Sequence, residues 1–312
     1  MRADGALSEA PTSFCTPIAP WFGCHAGIVV PFVPRSGIET GQGWQMRDRR
    51  PSHKTRERLK PAADTAGKRV TLPRALSKLG YCSRTQAERL IAESRVAVDG
   101  RTVSDASAWV DLSTARISVD GLVIAAEAKI YLMLNKPRGL VTTRQDPEGR
   151  PTVYDCLKNF DIPHLSPVGR LDKASEGLLL FTNDTEFAQT LLDPLTHVTK
   201  TYHVQIDRLM DDEEIAAMTS GIRHDGELLT AAATRRLRQG DRNSWIEVEL
   251  DEGRNRQIRR MLEALGAECL RLVRVAIGGL ELGELPKGAV RALTEGELQG
   301  LRRRAGMERA RR

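Results

Sequence analysis

The segment Gly169-Arg170-Leu171-Asp172-Lys173-Ala174-Ser175-Glu176-Gly177-Leu178-Leu179-Leu180-Phe181-Thr182 sets a charged loop directly against an unbroken apolar run. Gly177–Thr182 reads as a buried strand, because consecutive apolar side chains leave neither face for solvent. An acidic side chain in the loop that feeds such a strand, Asp172, sits on a rigid edge. Arg170 and Lys173 flank it and draw a phosphate backbone toward it. Alone, an Arg-Leu-Asp is a common surface turn, so the neighbouring segments decide its meaning.

Working outward, Ile130–Asn135 reads as a strand followed by the loop Lys136-Pro137-Arg138-Gly139. Asp184–Leu192 and Asp211–Ser220 read as helices, and Thr201–Ile206, Leu228–Arg236, Ser244–Leu250 and Leu270–Val275 as strands. Asn255–Leu265 is predicted helical, with Ile258, Met261, Leu262 and Leu265 forming one apolar face. Strands outnumber helices and follow one another in antiparallel fashion. The expected class is α+β, a mostly antiparallel mixed sheet with flanking helices over residues 128–293. Its size, about 165 residues, is enough to bury a core.

Residues 68–127 read as a separate small domain. Leu72, Leu76 and Leu79 fall at helical spacing and Gly80 ends that helix. Ser83 is a good N-cap for a second helix through Ala87, Leu90 and Ile91. Val96-Ala97-Val98 alternates as a short strand, Asp99-Gly100 makes a tight turn, and Thr102-Val103 and Ile117–Val119 add further short strands. Residues 69–101 hold seven basic and three acidic side chains. Lys78, Arg84 and Arg89 lie on or beside the two helices, near a helix N-terminus, which suits phosphate contacts. The alternative is a solvated helix face. Residues 1–67 show no period and are expected to be a disordered extension ending in the basic Arg47–Lys60 run. Residues 294–312 are expected to form a C-terminal helix and an Arg-rich tail.

The formal net charge of the 312 residues is +6, but it is unevenly spread. Residues 47–60 and 302–312 each carry +5, whereas 125–301 carry −5. No stretch approaches the roughly 18 apolar residues of a membrane span, and no secretory signal pattern is present. The five cysteines (Cys15, Cys24, Cys82, Cys156, Cys269) are odd in number and widely spaced. They fit neither a disulfide framework nor a zinc site, and a reducing cytoplasm is expected. Cys82 reads as a small packing residue.

Two further segments bear on chemistry. Lys200-Thr201-Tyr202 opens a strand, and Tyr202 is either a base-stacking aromatic or an ordinary core tyrosine with a bonded hydroxyl. Glu252-Gly-Arg254-Asn-Arg256-Gln257-Ile-Arg259-Arg260 leads a helix with four arginines in seven residues. One face of that helix is apolar, so the guanidiniums crowd its margins and need a carboxylate or an RNA phosphate. Hydrolysis of a glycoside calls for two placed carboxylates. Glu176, four residues past Asp172, is expected to face solvent rather than complete such a pair.

The motifs in order resemble a known family. Leu72 through Gly100 is similar to the S-four-type RNA-binding domain. Asn135-Lys-Pro-x-Gly139, Asp146-Pro-Glu-Gly-Arg-Pro-Thr-Val153, Gly169-Arg-Leu-Asp172, Gly177-Leu-Leu-Leu-Phe-Thr-Asn-Asp184, Lys200-x-Tyr202 and Glu252-Gly-Arg-Asn-Arg-Gln-Ile-Arg-Arg-Met261 follow. Together they resemble the bacterial ribosomal RNA pseudouridine synthases that carry such an N-terminal domain. The resemblance implies that Asp172 is the catalytic aspartate, that Tyr202 stacks on the target base, that Arg259 pairs with the catalytic carboxylate and that Arg170 lies near the flipped nucleotide. RNA contacts are expected from Lys78, Arg84, Arg89, Lys136, Arg138, Arg170, Lys173, Arg254, Arg256 and Gln257. The reaction is an isomerisation, so no metal and no other cofactor is expected.

The expected partner is ribosomal RNA. The Asp146–Val153 segment resembles the large-subunit branch, with small-subunit RNA as the alternative, and the chain is expected to be a monomer away from membranes. The second reading is a non-catalytic RNA-binding assembly factor that kept the fold. Both basic ends are expected to add sequence-independent phosphate affinity.

Overall fold

The computed structural model describes residues 69–158, 160 and 164–307. The extension 1–67 with its Arg47–Lys60 run, and the last residues of the Arg302–Arg312 tail, lie outside the described residues.

In the small domain, β1 (Arg69–Thr71) runs into α1 (Leu72–Lys78), which carries Pro73 in its first turn where no intrahelical amide is needed. α2 (Arg84–Ala92) is fixed by a reciprocal cap: the Gln86 amide donates to Ser83 Oγ, and the Ser83 amide donates to Gln86 Oε1. β2 (Val96–Val98) and β3 (Arg101–Thr102) form a hairpin across Asp99 and Gly100, at φ of 51° and 78°, the left-handed pair that a two-residue turn requires. β4 (Trp109–Asp111) pairs with β1, while β5 (Ile117–Val119) and β6 (Leu122–Val123) complete a four-stranded sheet in the order β3-β2-β5-β6. Leu72, Leu76, Ala87 and Ile91 pack on Val96, Ile117 and Val119. Cys82 belongs to the same core, and burial pushes its thiol up to about 11.

The connection to the second domain is held by hydrogen bonds. The Glu127 amide donates to Leu79 O and Lys129 Nζ to Lys78 O, which satisfies carbonyls at the end of α1. The Asn183 carboxamide accepts from the Ile130 amide and donates to Ala128 O.

The second domain runs β7 (Tyr131–Lys136), a 3-10 turn at Val153–Leu157, β8 (Ser166–Pro167), β9 (Ser175–Thr182), α3 (Thr185–Leu192), β10 (Lys200–Ile206), α4 (Asp212–Ser220), β11 (Ile222–His224), β12 (Glu227–Leu229), β13 (Ala233–Gln239), β14 (Ser244–Leu250), α5 (Gln257–Ala264), β15 (Cys269–Ile277), β16 (Leu280–Glu281), β17 (Val290–Ala292) and α6 (Glu295–Arg304). The main sheet has the order β13-β14-β10-β15-β9-β7-β17, with β16 on β15 and β8 on β9. Only β9 and β15 are parallel; the other neighbours are antiparallel, as an α+β sheet read from the sequence requires. β9 is buried at every position, whereas β14 alternates strictly. The alternation lets β14 bury Ile246 and Val248 with α4 and α5, through Ile215, Met218, Ile258, Met261 and Leu262. α3 and α6 cover β9 through Phe187, Leu191, Leu298 and Leu301.

Two element expectations are corrected. Leu228–Arg236 is not one strand: Asp225 and Gly226 (φ 49° and 79°) turn β11 back into β12, and β13 starts afresh at Ala233 in the main sheet. The helix expected from Asn255 starts at Gln257, because Arg256 is left-handed at φ 48°. Among the described residues no helix is long and apolar enough to cross a membrane.

Candidate active site

Asp172 lies in the turn before β9, and its main chain is clamped from several directions. Leu171 is buried in the core formed with Leu134, Val153 and Phe181. Thr142 Oγ1 donates to Leu171 O at 2.7 Å and accepts from the Leu171 amide. The Ser175 amide donates to Asp172 O, and the Gly139 amide to Lys173 O. Lys136 Nζ, fully buried, donates to the carbonyls of Pro137, Asp172 and Ser175 at 3.1, 3.1 and 2.8 Å. Burial pushes the Lys136 ammonium down to about 8, and Asp172 and Glu176 resist that shift. The Asp172 carboxylate itself is left half-exposed in a cleft of about 580 Å³. A fixed backbone under a free carboxylate is the arrangement a reacting group needs.

The cleft floor is the face of the sheet where β9, β15 and β10 meet. Tyr202 on β10 and Arg274 on β15 are cross-strand partners, so their side chains share this face. Gly177 on β9 faces Arg274 in the parallel ladder at φ 101°. Any Cβ there would overlap the Arg274 main chain, so only glycine lets the two strands approach. Ser175, Lys200 and Leu272 complete the floor.

Among the residues named from the sequence, the cleft brings together Asp172, Tyr202, Arg170, Arg254, Arg256 and Gln257. The expected pairing of Arg259 with the carboxylate is not what the structure shows. Arg259 donates to the carbonyls of Cys269 at 3.1 Å and Ala174 at 3.4 Å, and its buried Nε has no hydrogen-bond partner. The guanidinium near Asp172 belongs to Arg256, with Nη1 3.9 Å from Oδ2. The cause is local: the left-handed Arg256 precedes the helix and swings its side chain toward the Asp172 loop, while Arg259, one turn in, braces α5 against β15. Left-handed backbone in a bulky residue is costly and concentrates at functional sites.

Two expected RNA contacts are also corrected. Lys136 has no exposed surface and spends its protons on carbonyls. Gln257 is 2% exposed, accepts from the Arg254 amide, and donates to Thr230 O and Glu252 Oε1. Both hold the site together from within. Arg254 is tied to Glu252 and to Leu228 O but keeps an exposed face. Arg138, Arg170 and Lys173 are exposed near the Asp172 turn, and Arg84 and Arg89 are exposed on α2. Lys78 is half-buried at the end of α1.

Glu176 does not face solvent. It is 3% exposed and held by Arg271 (2.9 Å) and Lys287 (2.7 Å). Burial alone would raise its pKa, but the two cations outweigh that and leave it lowered. It is therefore a structural anion of β9. Sequence reasoning also missed Arg274, one of two arginines in the otherwise apolar strand β15. Only its place opposite Tyr202 and Gly177 shows that it belongs to the cleft.

A small domain with exposed cations, joined to a sheet that presents one clamped aspartate beside a tyrosine and arginines, defines a class: an enzyme that holds an anionic polymer and acts on one unit of it. Comparison with known proteins gives the family. The family model for RNA pseudouridylate synthases matches residues 130–264, and that for the S4 domain matches residues 70–113. The chain is 40% identical over 234 residues to "Ribosomal large subunit pseudouridine synthase B" of Bacillus subtilis (strain 168), covering 74% of this chain and 95% of that one. A protein of the same name from Yersinia pestis is 37% identical over 225 residues, 70% of each chain. A solved structure described as "Crystal structure of pseudouridylate synthase" superposes with a TM-score of 0.53 at 31% identity, over 74% of this chain and 99% of that one. The chain belongs to the RNA pseudouridylate synthase family and carries an S4 domain ahead of the synthase domain.

Proposed function

We propose that this enzyme converts a uridine of large-subunit ribosomal RNA to pseudouridine, with Asp172 as the acting carboxylate and no cofactor. The observation that carries the reading is the Asp172 turn: its main chain is fixed by Lys136, Thr142 and the Gly139 amide while its carboxylate stays open to the cleft. The names of the Bacillus subtilis and Yersinia pestis relatives support the large subunit.

The chemistry suits one carboxylate. The N1–C1′ bond breaks, the base turns, C5 bonds to C1′, the C5 proton leaves and N1 gains a proton, so atoms and electrons balance without an outside reagent. Asp172 acts by bonding to C1′, by bonding to C6 of the base, or by removing H2′. The target base must leave its stack, at about a few kcal/mol. Stacking on Tyr202 and phosphate contacts from Arg138, Arg170 and Lys173 offset that. Arg256, half-exposed at 3.9 Å, makes a loose pair that orients the carboxylate without occupying it.

The test is Asp172→Asn. Pseudouridine formation in unmodified ribosomal RNA should fall to the detection limit while RNA binding stays within about twofold of wild type. An active variant overturns the assignment of Asp172. A wild-type chain that binds ribosomal RNA tightly but never forms pseudouridine overturns the enzymatic reading in favour of an assembly factor. Mapping pseudouridines in ribosomal RNA from a deletion strain identifies the subunit and the uridine.

A further inference from the structure

Arg274 is a cation without a counterion in the floor of the cleft. It is 5% exposed; its Nε donates to Leu178 O at 2.7 Å, and its Nη2 is buried with no hydrogen-bond partner. No carboxylate of the described residues pairs with it. Its neighbour on the same floor, Lys200, is also cationic. Burial first, and then Arg274, push the Lys200 pKa down, with Asp251 opposing. A buried guanidinium nitrogen left without an acceptor, as Nη2 is, is costly unless something that enters the site supplies one.

The position says what enters. Arg274 lies directly across the ladder from Tyr202, on the same face of the sheet. A flipped nucleotide sends its base inward and leaves its phosphates at the rim. The ribose is attached at N1, so the atom that leads inward is the one across the ring, the C4 carbonyl. After the base has turned to join through C5, the atom across the ring is the C2 carbonyl. A single donor at depth therefore meets O4 before the rearrangement and O2 after it.

The geometry points to Arg274, with the charge of Lys200 beside it, as the donor that receives the leading carbonyl of the uracil and stabilises the negative charge the ring acquires. This rests on the reading that the Asp172 cleft takes the flipped uridine. Whichever route Asp172 follows, electrons reach those oxygens. Breaking N1–C1′ spreads the departing pair over N1, O2 and O4, and addition at C6 makes an enolate at O4. Rejoining through C5 returns the pair to the new bond. Donors aimed at developing charge act more on the rate than on the affinity for the whole RNA, to which phosphate contacts contribute most.

The experiment compares wild type, Arg274→Gln and Arg274→Lys on unmodified large-subunit ribosomal RNA transcribed with UTP or with 4-thio-UTP. Arg274→Gln should slow single-turnover pseudouridine formation by about 100-fold or more, with the RNA Kd within about twofold, and Arg274→Lys should recover part of the rate. The thio substitution should slow wild type but add little to the loss in Arg274→Gln, because both remove the same contact. A weaker RNA Kd with unchanged rate, or fully additive effects, overturns the proposal. If Arg274→Gln does not fold, Arg274→Lys decides alone by the size of its thio effect relative to wild type. A second arm reads binding without turnover: wild type should prefer uridine 5′-monophosphate over the analogue lacking O4, and Arg274→Lys should lose most of that preference. Equal binding of both by wild type overturns the contact. Asp172→Asn keeps this preference if only the function assigned to Asp172 is wrong, so the two readings fail separately.

Discussion

The two domains use positive charge in opposite ways. In the small domain Arg84 and Arg89 stand exposed on α2 and make no ion pair with any described residue. In the synthase domain most arginines are already engaged: Arg150 with Asp146, Arg208 with Glu214, Arg235 with Glu247, Arg260 with Glu227, Arg271 with Glu176 and Arg291 with Glu297. Free guanidiniums bind a polymer of phosphates through charge alone. Engaged ones fix strands and helices around a carboxylate and set where it sits. The negative net charge of residues 125–301 fits the second use, because a domain that must build a site needs acids to tie its bases down. Several cations there make no ion pair with a described residue: Arg223, Arg238 and Arg242 lie on or beside β11 and β13, and another group gathers at Asp172. Arg138, Arg170 and Lys173 stand around the Asp172 turn, and Lys136, Lys200 and Arg274 lie beneath it.

The largest effect is expected from removing a cation that the synthase domain uses purely for architecture. Lys136→Met deletes a buried ammonium that serves three carbonyls, two of them in the Asp172 turn. Buried acceptors left unpaired cost about 1–3 kcal/mol each, offset in part by no longer burying the charge. The expected result is a melting temperature lower by several degrees and a single-turnover rate down by at least about tenfold, with RNA affinity nearly unchanged. If affinity falls and stability does not, Lys136 contacts RNA after all. The effect carries a pH signature. The folded-state pKa is lowered to about 8 from 10.5, so between those values the unfolded chain holds the proton more tightly. The stability advantage of wild type over the variant should therefore grow as pH rises from about 8 toward 10.5. Denaturation of both proteins across that range measures it.

Lys136 shows what a sequence carries and what it does not. The strand before it, the buried run of β9 and the cap at Ser83 depend on neighbours a few residues away, and all three were legible. A lysine beside proline and glycine looks exposed by the same local logic. Two of its three acceptors, however, lie 36 and 39 residues further on, and nothing near position 136 announces them. Glu176 was misread for the same reason, since Arg271 is 95 residues away. The Arg256/Arg259 exchange is subtler. All four arginines of the run were visible, but which one reaches Asp172 depends on one backbone angle, the φ of 48° at Arg256. Among the described residues the dipeptide Asp-Gly occurs at 99, 120 and 225 and makes a two-residue hairpin each time. Only the first was evident, although the strands around all three are two or three residues long.

A smaller effect is expected from the small domain, where Arg84→Ala with Arg89→Ala sharpens the contrast. Neither side chain is engaged in the fold, so the melting temperature should stay within about one degree, the range of neutral surface changes. If both touch phosphate, each removal should lower the slope of log K against log salt by about 0.9 or less. The rate at saturating RNA should not change. A lost rate with an unchanged salt slope would mean that the small domain also positions the target, and the division of labour between the domains would fall.

The smallest effect concerns an engaged arginine far from the cleft. Arg291 Nη1 and Nη2 each donate to Glu297, and the Glu297 carboxylate also accepts from the Thr294 amide at the start of α6. The Arg291 contact leads in pushing the Glu297 pKa down to about 2 against the opposing effect of burial. A lowered carboxylate contributes stability above its ordinary value near 4.5, and that contribution fades as pH falls toward 2. Glu297→Gln keeps much of the shape and part of the cap but removes the charge. The pair is partly solvent-exposed, so the expected loss at neutral pH is about 1 kcal/mol, shrinking toward zero in acid. α6 buries Leu298 and Leu301 against the β9 side of the sheet, so the readout is global unfolding rather than fraying. Denaturant curves at pH 7 and pH 3 measure the difference. A loss that is the same at both would assign the effect to packing of the side chain and remove Arg291 from the set of cations that hold this domain together by charge.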